Sequence, residues 1–132
     1  MFNEPSVTVI IPYKKDINYL FSAIKSVCDQ SYKNYIIKIV YDNSNKLDLK
    51  KINTFIKEKI SKKFPPVKIY VNEESLGAGL SRNIGIKKSN TKYIAFLDSD
   101  DLWKREKLKS QISFMEKYKL VFSHTSYSVI NT

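Results

Sequence analysis

Short apolar segments alternate with amphipathic segments along the chain. The first apolar segment, residues 7–11, is mostly β-branched and ends at Pro12, which cannot extend the ladder of a central strand. Similar segments predict further strands over residues 36–41, 67–71, 93–97 and 120–123. Apolar residues spaced three or four apart predict helices over residues 17–29, 49–60, 80–89 and 105–118.

Uninterrupted apolar strands are typical of a parallel sheet that is covered on both faces. Their alternation with helices indicates an α/β fold, in which helices flank a mainly parallel central sheet. The chain has 132 residues, without internal repeat or linker, and is expected to form one domain. Sheets of this class bind ligands beyond the carboxyl ends of their strands, so the residues there are the candidates for function.

The charge balance is strongly basic, with 23 Lys and Arg against 13 Asp and Glu, a formal net charge of +10. Such a chain attracts phosphate groups, polyanions or an anionic membrane surface. The lysines are dispersed, so a solvated lysine-rich surface explains the charge equally well. Nucleic-acid binding is not expected, because buried strands and an acidic cluster do not fit a module of that kind.

A single cysteine, Cys28, rules out a disulfide framework and a cysteine metal site. No segment approaches the roughly 18 apolar residues of a membrane span. A cytoplasmic protein is expected, and its basic surface is compatible with the inner face of the membrane.

Three carboxylates, Asp98, Asp100 and Asp101, directly follow the predicted strand 93–97. Like charges this close repel one another unless a cation or hydrogen bonds neutralise them. Mg²⁺ and Mn²⁺ prefer oxygen ligands, and Mg²⁺ is often held by one or two carboxylates together with substrate phosphates. The cluster therefore suggests a divalent metal that bridges protein and diphosphate. The alternative is an Asp-rich turn that caps the following helix.

Two further strand-end features carry polar groups. Asp42 ends the second strand and either accepts hydrogen bonds from a base or ribose or closes an Asx turn. Residues 77–85 begin a helix with small residues, and such a helix start can receive an anion. Arg82 would add a charge suited to phosphate, although an exposed arginine on a surface helix is the simpler interpretation.

Taken together and in order, these segments resemble the family 2 glycosyltransferases, which have a GT-A fold. The resemblance covers nearly the whole chain; each motif is weak alone, and the ordered set is specific. The matching segments are Val7-Thr8-Val9-Ile10-Ile11-Pro12-Tyr13, residues 23–32, Ile39-Val40-Tyr41-Asp42-Asn43-Ser44, Leu80-Ser81-Arg82-Asn83-Ile84-Gly85, and residues 93–103 with Leu97-Asp98-Ser99-Asp100-Asp101.

The resemblance implies a Rossmann-like nucleotide-binding half that takes a nucleotide-sugar donor, usually a uridine diphosphate sugar. Pro12, Tyr13 and Asp42 would line the base pocket, and Arg82 would lie near it. Asp98 and Asp100 would be the D-x-D pair that holds Mn²⁺ or Mg²⁺, with Asp98 also near the ribose. The implied reaction is inverting transfer to a glycan or lipid-linked acceptor.

The chain departs from the family pattern in three places. Tyr41 replaces the first of two acids at the second strand end, and Asn43 replaces a glycine that Asn can imitate in left-handed geometry. Family members also continue well past a fifth strand, into a part that supplies the acceptor site and the catalytic base. Residues 1–132 are therefore expected to be a truncated domain, the donor-binding half without the acceptor half.

No catalytic base is identified, since Glu106 and Glu116 match no base motif. A non-catalytic remnant that binds nucleotide, or only packs, is an alternative. A sugar-phosphate nucleotidyltransferase is disfavoured because glycines are absent around Lys14 and Lys15 after the first strand. His124 is expected to be a surface or structural residue, and Trp103 is expected to pack beneath the acidic segment.

Overall fold

The computed structural model describes residues 4–60 and 65–131. Strands and helices alternate along these residues as predicted. The strands are β1 (Val7–Tyr13), β2 (Tyr35–Tyr41), β3 (Val67–Val71) and β4 (Tyr93–Phe96). The helices are α1 (Ile17–Cys28), α2 (Leu47–Lys59), α3 (Ala78–Lys87) and α4 (Lys107–Tyr118). The strands form one sheet in the order β3-β2-β1-β4, and every pairing is parallel, which confirms the predicted fold class.

The main core lies on one face of the sheet. Alternate side chains of β1 and β2, among them Val9, Ile11, Ile37 and Ile39, are fully buried there. They pack with apolar residues of three helices: Leu20, Ala23, Ile24 and Val27 of α1, Ile52 of α2, and Leu108 and Ile112 of α4. Because side chains alternate across a strand, the other residues of β1 and β2 point to the opposite face.

Helix α3 covers that opposite face and approaches β1 closely. A Cβ atom added at Gly85 would lie 2.6 Å from Cγ2 of Ile10, nearer than side-chain atoms pack. The Lys38 ammonium group of β2 donates a hydrogen bond to the carbonyl of Lys88, which follows α3. Helices therefore lie on both faces of the sheet, as the sequence predicted.

The prediction that β1 ends at Pro12 is wrong, because β1 continues to Tyr13 and Pro12 pairs with Val40 of β2. The carbonyl groups of Ser6 and Ile10 accept hydrogen bonds from the β4 side of β1. Successive residues of a strand direct their main-chain groups to alternate sides, so the Pro12 nitrogen also faces β4. Pairing with β4 ends at Ile10. An N–H group at this position would point beyond the end of β4. Proline therefore removes no hydrogen bond from the sheet.

The predicted fifth strand at residues 120–123 is also wrong. These residues follow the left-handed C-cap Lys119 as irregular chain, and Val121 is 99% exposed. Within the described residues β4 is an edge strand paired only to β1, so the segment has no neighbouring strand with which to form a ladder. Apolar composition alone does not make a strand. None of the helices in the described ranges is long and apolar enough to cross a membrane.

Candidate functional site

The carboxyl ends of all four strands lie at one edge of the sheet, because the strands are parallel. The hydrogen-bonding pattern continues past the strands themselves: Asp42 N–H donates to the Tyr13 carbonyl at 2.7 Å, and Asn72 N–H donates to the Tyr41 carbonyl at 2.9 Å. Leu97 N–H likewise donates to the Ile10 carbonyl at 3.0 Å. The structure thus brings the three polar strand ends predicted from sequence to one edge, and it adds a fourth at Asn72.

Arg82 and Asp98 meet at this edge. A guanidinium nitrogen of Arg82, Nη2, donates to Oδ1 of Asp98 at 2.6 Å, which joins α3 to the segment after β4. The two side chains are 34% and 51% exposed. An ion pair with this exposure adds little to stability, about 0–1 kcal/mol, so the pair is accessible to a ligand at small cost.

The acidic segment after β4 forms a turn that does not cap a helix. Asp101 N–H donates to the Asp98 carbonyl at 3.0 Å, which closes the turn. Helix α4 starts only at Lys107, and its N-cap is Glu106. The alternative of a helix-capping turn is therefore excluded for α4. Asp98, Asp100 and Asp101 are all exposed.

The negative charge of this turn is only partly compensated. Desolvation of its carboxyl group, together with the charges of Asp100 and Asp98, raises the pKa of Asp101 above its ordinary value. Among the described residues, no three His, Cys, Asp or Glu side chains are gathered closely enough to form a metal site by themselves. The carboxylates of Asp98, which is paired with Arg82, and Asp100 are both exposed, and together they fit a divalent cation that takes its remaining ligands from a diphosphate and water.

Ser26 of α1 and Gln30, which follows α1, anchor the chain after the acidic turn, an arrangement that sequence reasoning missed. Trp103 N–H donates to Ser26 Oγ at 3.1 Å, and the fully buried Gln30 donates to the Lys104 carbonyl at 2.8 Å. Gln30 Oε1 also accepts from Leu108 N–H at 3.0 Å. The signal was present in residues 23–32, which match the family pattern but had been given no role. Trp103 itself packs against the core, as expected of a structural residue.

Asp42 is buried, with 2% exposure, and its carboxylate is turned toward the start of α3. Oδ1 accepts from Leu76 N–H at 2.7 Å and from the Asn72 amide at 2.9 Å, and Oδ2 accepts from Gly77 N–H at 2.8 Å. Burial by itself would raise the pKa of Asp42, but these hydrogen bonds outweigh it and hold the pKa below its ordinary value. Asp42 thus supplies a carboxylate to the N–H groups of Leu76 and Gly77, directly before α3.

Pro12 and Tyr13 differ in which of their groups are accessible at the carboxyl edge of the sheet. Pro12 is half-buried and shares the α3 face with Ile10 by strand alternation. The Tyr13 side chain is 1% exposed, and its hydroxyl donates to Asp48 of α2 at 2.6 Å. The ring therefore lies in the core, and only the main chain of Tyr13 is left to line a pocket.

The remaining candidates lie in other surroundings. Glu116 pairs with Lys92 at 2.7 Å and accepts a bond from the Tyr93 hydroxyl, which places it at the amino end of β4 and not near Asp98. Glu106 accepts from Ser31 Oγ at 2.8 Å and is exposed. His124 is exposed near the ring of Phe122, at 6.4 Å between centroids. None of these contacts assigns a catalytic base.

Comparison with known proteins agrees with the geometry. An uncharacterized glycosyltransferase of Rickettsia conorii is 42% identical over 131 residues, which are 99% of this chain and 20% of that protein. The Escherichia coli protein WfgD, a UDP-Glc:α-D-GlcNAc-diphosphoundecaprenol β-1,3-glucosyltransferase, is 34% identical over 125 residues, 95% of this chain and 47% of its own length. The chain thus spans a fifth to about half of these relatives.

The fold is shared with a solved structure. The mannosyltransferase PcManGT of Pyrobaculum calidifontis, in complex with GDP-Man and Mn²⁺, superposes with a TM-score of 0.77 at 16% identity, over 85% of this chain and 32% of that one. This likeness confirms the expected GT-A class of α/β fold. Residues 8–131 match the family model described as Glycosyl transferase family 2. A match over almost the whole length shows that the chain belongs to glycosyl transferase family 2.

Proposed function

We propose that this chain binds the nucleotide diphosphate of a UDP-sugar at the carboxyl edge of its sheet. The observation that carries the proposal is the Arg82–Asp98 contact of 2.6 Å at an exposed acidic turn that caps no helix. A permanent cation beside two exposed carboxylates, at the place where parallel sheets bind ligands, suits a diphosphate with a bound metal.

Each residue has a distinct role in this proposal. Pro12 and the main chain of Tyr13 line the base pocket, and Asp42 lies behind it. Asp98 and Asp100 hold Mn²⁺ or Mg²⁺ together with the diphosphate, and Arg82 exchanges part of its contact with Asp98 for a phosphate oxygen. When bound, the metal would stabilise the charge that develops on the leaving diphosphate.

The parent reaction is proposed from the relatives. WfgD is named for transfer from UDP-Glc to a diphosphoundecaprenol-linked sugar, and PcManGT was solved with GDP-Man and Mn²⁺. By analogy, the proposed reaction is inverting sugar transfer to a glycan or lipid-linked acceptor in polysaccharide synthesis. The donor site is the part of this chemistry that the chain's own residues support; the catalytic base and acceptor site are proposed to lie outside it.

The donor site is tested by calorimetric titration of the 132-residue chain with UDP, once in the presence of Mn²⁺ and once in the presence of EDTA. Binding that requires Mn²⁺ and is stronger for UDP than for GDP or ADP is the expected result. A preference for GDP would overturn the uridine assignment and keep the metal–diphosphate site. The absence of heat at millimolar UDP and Mn²⁺ would overturn the site and leave a packing role.

Attachment to an anionic membrane is proposed from the basic face of α2. An open groove along this helix is lined by Lys46, Lys50 and Lys57 and contains no acidic residue. Each lysine near an anionic membrane surface contributes about 1 kcal/mol of binding free energy. Co-sedimentation with phosphatidylglycerol vesicles, compared with phosphatidylcholine vesicles, tests it. Equal sedimentation with the two lipids would exclude this surface.

A further inference from the structure

The buried contacts of Asp42 form a unit that lies between the sheet and α3. Its members are the Asp42 carboxylate, the Asn72 side chain, the N–H groups of Leu76 and Gly77, and Ser81 Oγ; we call this unit the Asp42 clasp. We propose that Asp42 and Asn72 are positioning residues: the clasp sets α3 in place, so that Arg82 faces Asp98 and the diphosphate. The inference rests on the proposed donor site and deepens it.

The Asp42 carboxylate is committed to the protein main chain. Its two oxygens accept three hydrogen bonds between 2.7 and 2.9 Å, two from Leu76 and Gly77 N–H groups and one from the Asn72 amide. Since the residue is also 2% exposed, the carboxylate is better placed to order this loop than to contact a base. Hydrogen bonds from N–H groups to a buried carboxylate are among the strong ones in proteins.

Asn72 uses its amide group to connect the strand end with the helix. The Asn72 amide nitrogen donates to Asp42 Oδ1 at 2.9 Å and to Ser81 Oγ at 3.2 Å, and these two bonds account for its two protons. Asn72 is 6% exposed and Ser81 is fully buried. Water therefore does not compete for these bonds, and the amide fixes the distance between β3 and the first turn of α3.

The clasp acts on Arg82 through the helix. Gly77, the N-cap of α3, has φ of 88°, a conformation that favours glycine, and the Asp42 carboxylate holds this turn by its N–H. Ser81 N–H donates to the Gly77 carbonyl at 3.0 Å, so the first helical turn starts from the clasped residue. Arg82 is the next residue along the chain, and its direction toward Asp98 depends on the position of this turn.

A double-mutant cycle tests the positioning role. UDP affinity in the presence of Mn²⁺ is measured for wild type, Asn72→Ala, Arg82→Ala and the double variant. If Asn72 acts through Arg82, Asn72→Ala weakens binding about fivefold alone and has almost no effect in the Arg82→Ala background, a coupling within the range seen for residues of one network. The control Asn53→Ala removes an exposed amide that bonds to the Leu49 carbonyl within α2, and it leaves UDP affinity unchanged.

Additive losses in the cycle would overturn the proposal, because direct contact of Asn72 with the ligand does not require Arg82.

A second measurement needs no ligand: amide hydrogen exchange at Leu76, Gly77 and Arg82 is compared between wild type and Asp42→Asn. The clasp predicts exchange at least about tenfold faster at these amides, with the centre of β1 unaffected. Unchanged exchange in Asp42→Asn would overturn the clasp. Faster exchange in Asp42→Asn, together with a wild-type chain that binds no UDP, would refute only the donor site.

Discussion

Arg82 and Asp98 lie 16 residues apart in the chain, and the sheet brings them into a 2.6 Å contact at its carboxyl edge. Each was a weak candidate by itself, one an exposed arginine on a helix and the other part of an Asp-rich turn. The contact brings the two side chains together at one edge of the sheet. It also places a positive charge beside the acidic turn, where the diphosphate of the proposed donor would lie.

Replacement of Arg82 by Ala is expected to reduce the affinity for UDP and leave the fold intact. The lost phosphate contact corresponds to about tenfold in dissociation constant, about 1.4 kcal/mol. The ion pair is half-exposed, so the melting temperature should change little. Titration calorimetry and thermal unfolding measure the two effects. Lys92→Ala removes an ion pair of similar length, 2.7 Å to Glu116 at the far end of β4, and should not affect UDP binding.

Asp100→Asn is expected to abolish the dependence of UDP binding on Mn²⁺. The exposed carboxylate is proposed as the main protein ligand of the metal, and a neutral amide holds divalent cations poorly. Removal of metal from wild type with EDTA should give the same affinity as the variant. Glu58→Gln, which neutralises an exposed acid on α2, serves as the charge-matched control. Retained Mn²⁺ dependence in Asp100→Asn would remove Asp100 from the site.

The order of elements was predictable because each strand is a short, mostly apolar segment and each helix shows apolar spacing. Whether an apolar segment joins the sheet was harder to predict. Residues 120–123 have strand-like composition, but no neighbouring strand in the described part of the chain pairs with them. The predicted carboxyl end of β1 was wrong for a related reason, since the cost of Pro12 in a strand depends on which side its nitrogen faces.

The candidate site was predictable as a set of strand ends, but the partners of its residues were not. The carboxylate of Asp42 is bonded to Asn72, Leu76 and Gly77, which are 30 to 35 residues away. Nothing local to Asp42 shows that α3 begins directly beside it. Likewise, Tyr13 follows Pro12 at the strand end, and only the alternation of side chains across β1 directs its ring into the core.

Gly85→Ala is expected to destabilise the protein by about 1–3 kcal/mol, the usual cost of overpacking. The new methyl group would lie 2.6 Å from Cγ2 and 2.9 Å from Cδ1 of Ile10, so α3 must move away from β1. Gly79→Ala is the matched control on the same helix, because nothing lies within 4 Å of its added methyl group. That variant should be neutral or slightly stabilising in urea unfolding. Equal stability of the two variants would contradict the close approach of α3.

Gln30→Ala is expected to loosen the chain between the acidic turn and α4. It leaves the Lys104 carbonyl and the Leu108 N–H without their partner, and the buried Leu108 N–H alone costs about 1–3 kcal/mol. Urea unfolding measures the loss, and UDP affinity should fall with it. Gln111→Ala on α4 is a control of the same type, since Gln111 is only half-buried. Similar losses in both variants would show that the anchor has no special role.

The contribution of Asp42 to stability should depend on pH. Its carboxylate has a pKa below the ordinary 3.8, because hydrogen bonds to Asn72, Leu76 and Gly77 outweigh the effect of burial. A lowered pKa in the folded state gives stability that is present above pH 4 and is lost as the pH falls through the folded value. The free energy of unfolding is therefore measured by urea denaturation between pH 7 and pH 3, for wild type and Asp42→Asn. The difference between them should be constant from pH 7 to about pH 5 and should shrink below pH 4; a difference that stays the same at pH 3 would show that the charged form is not the one the loop stabilises.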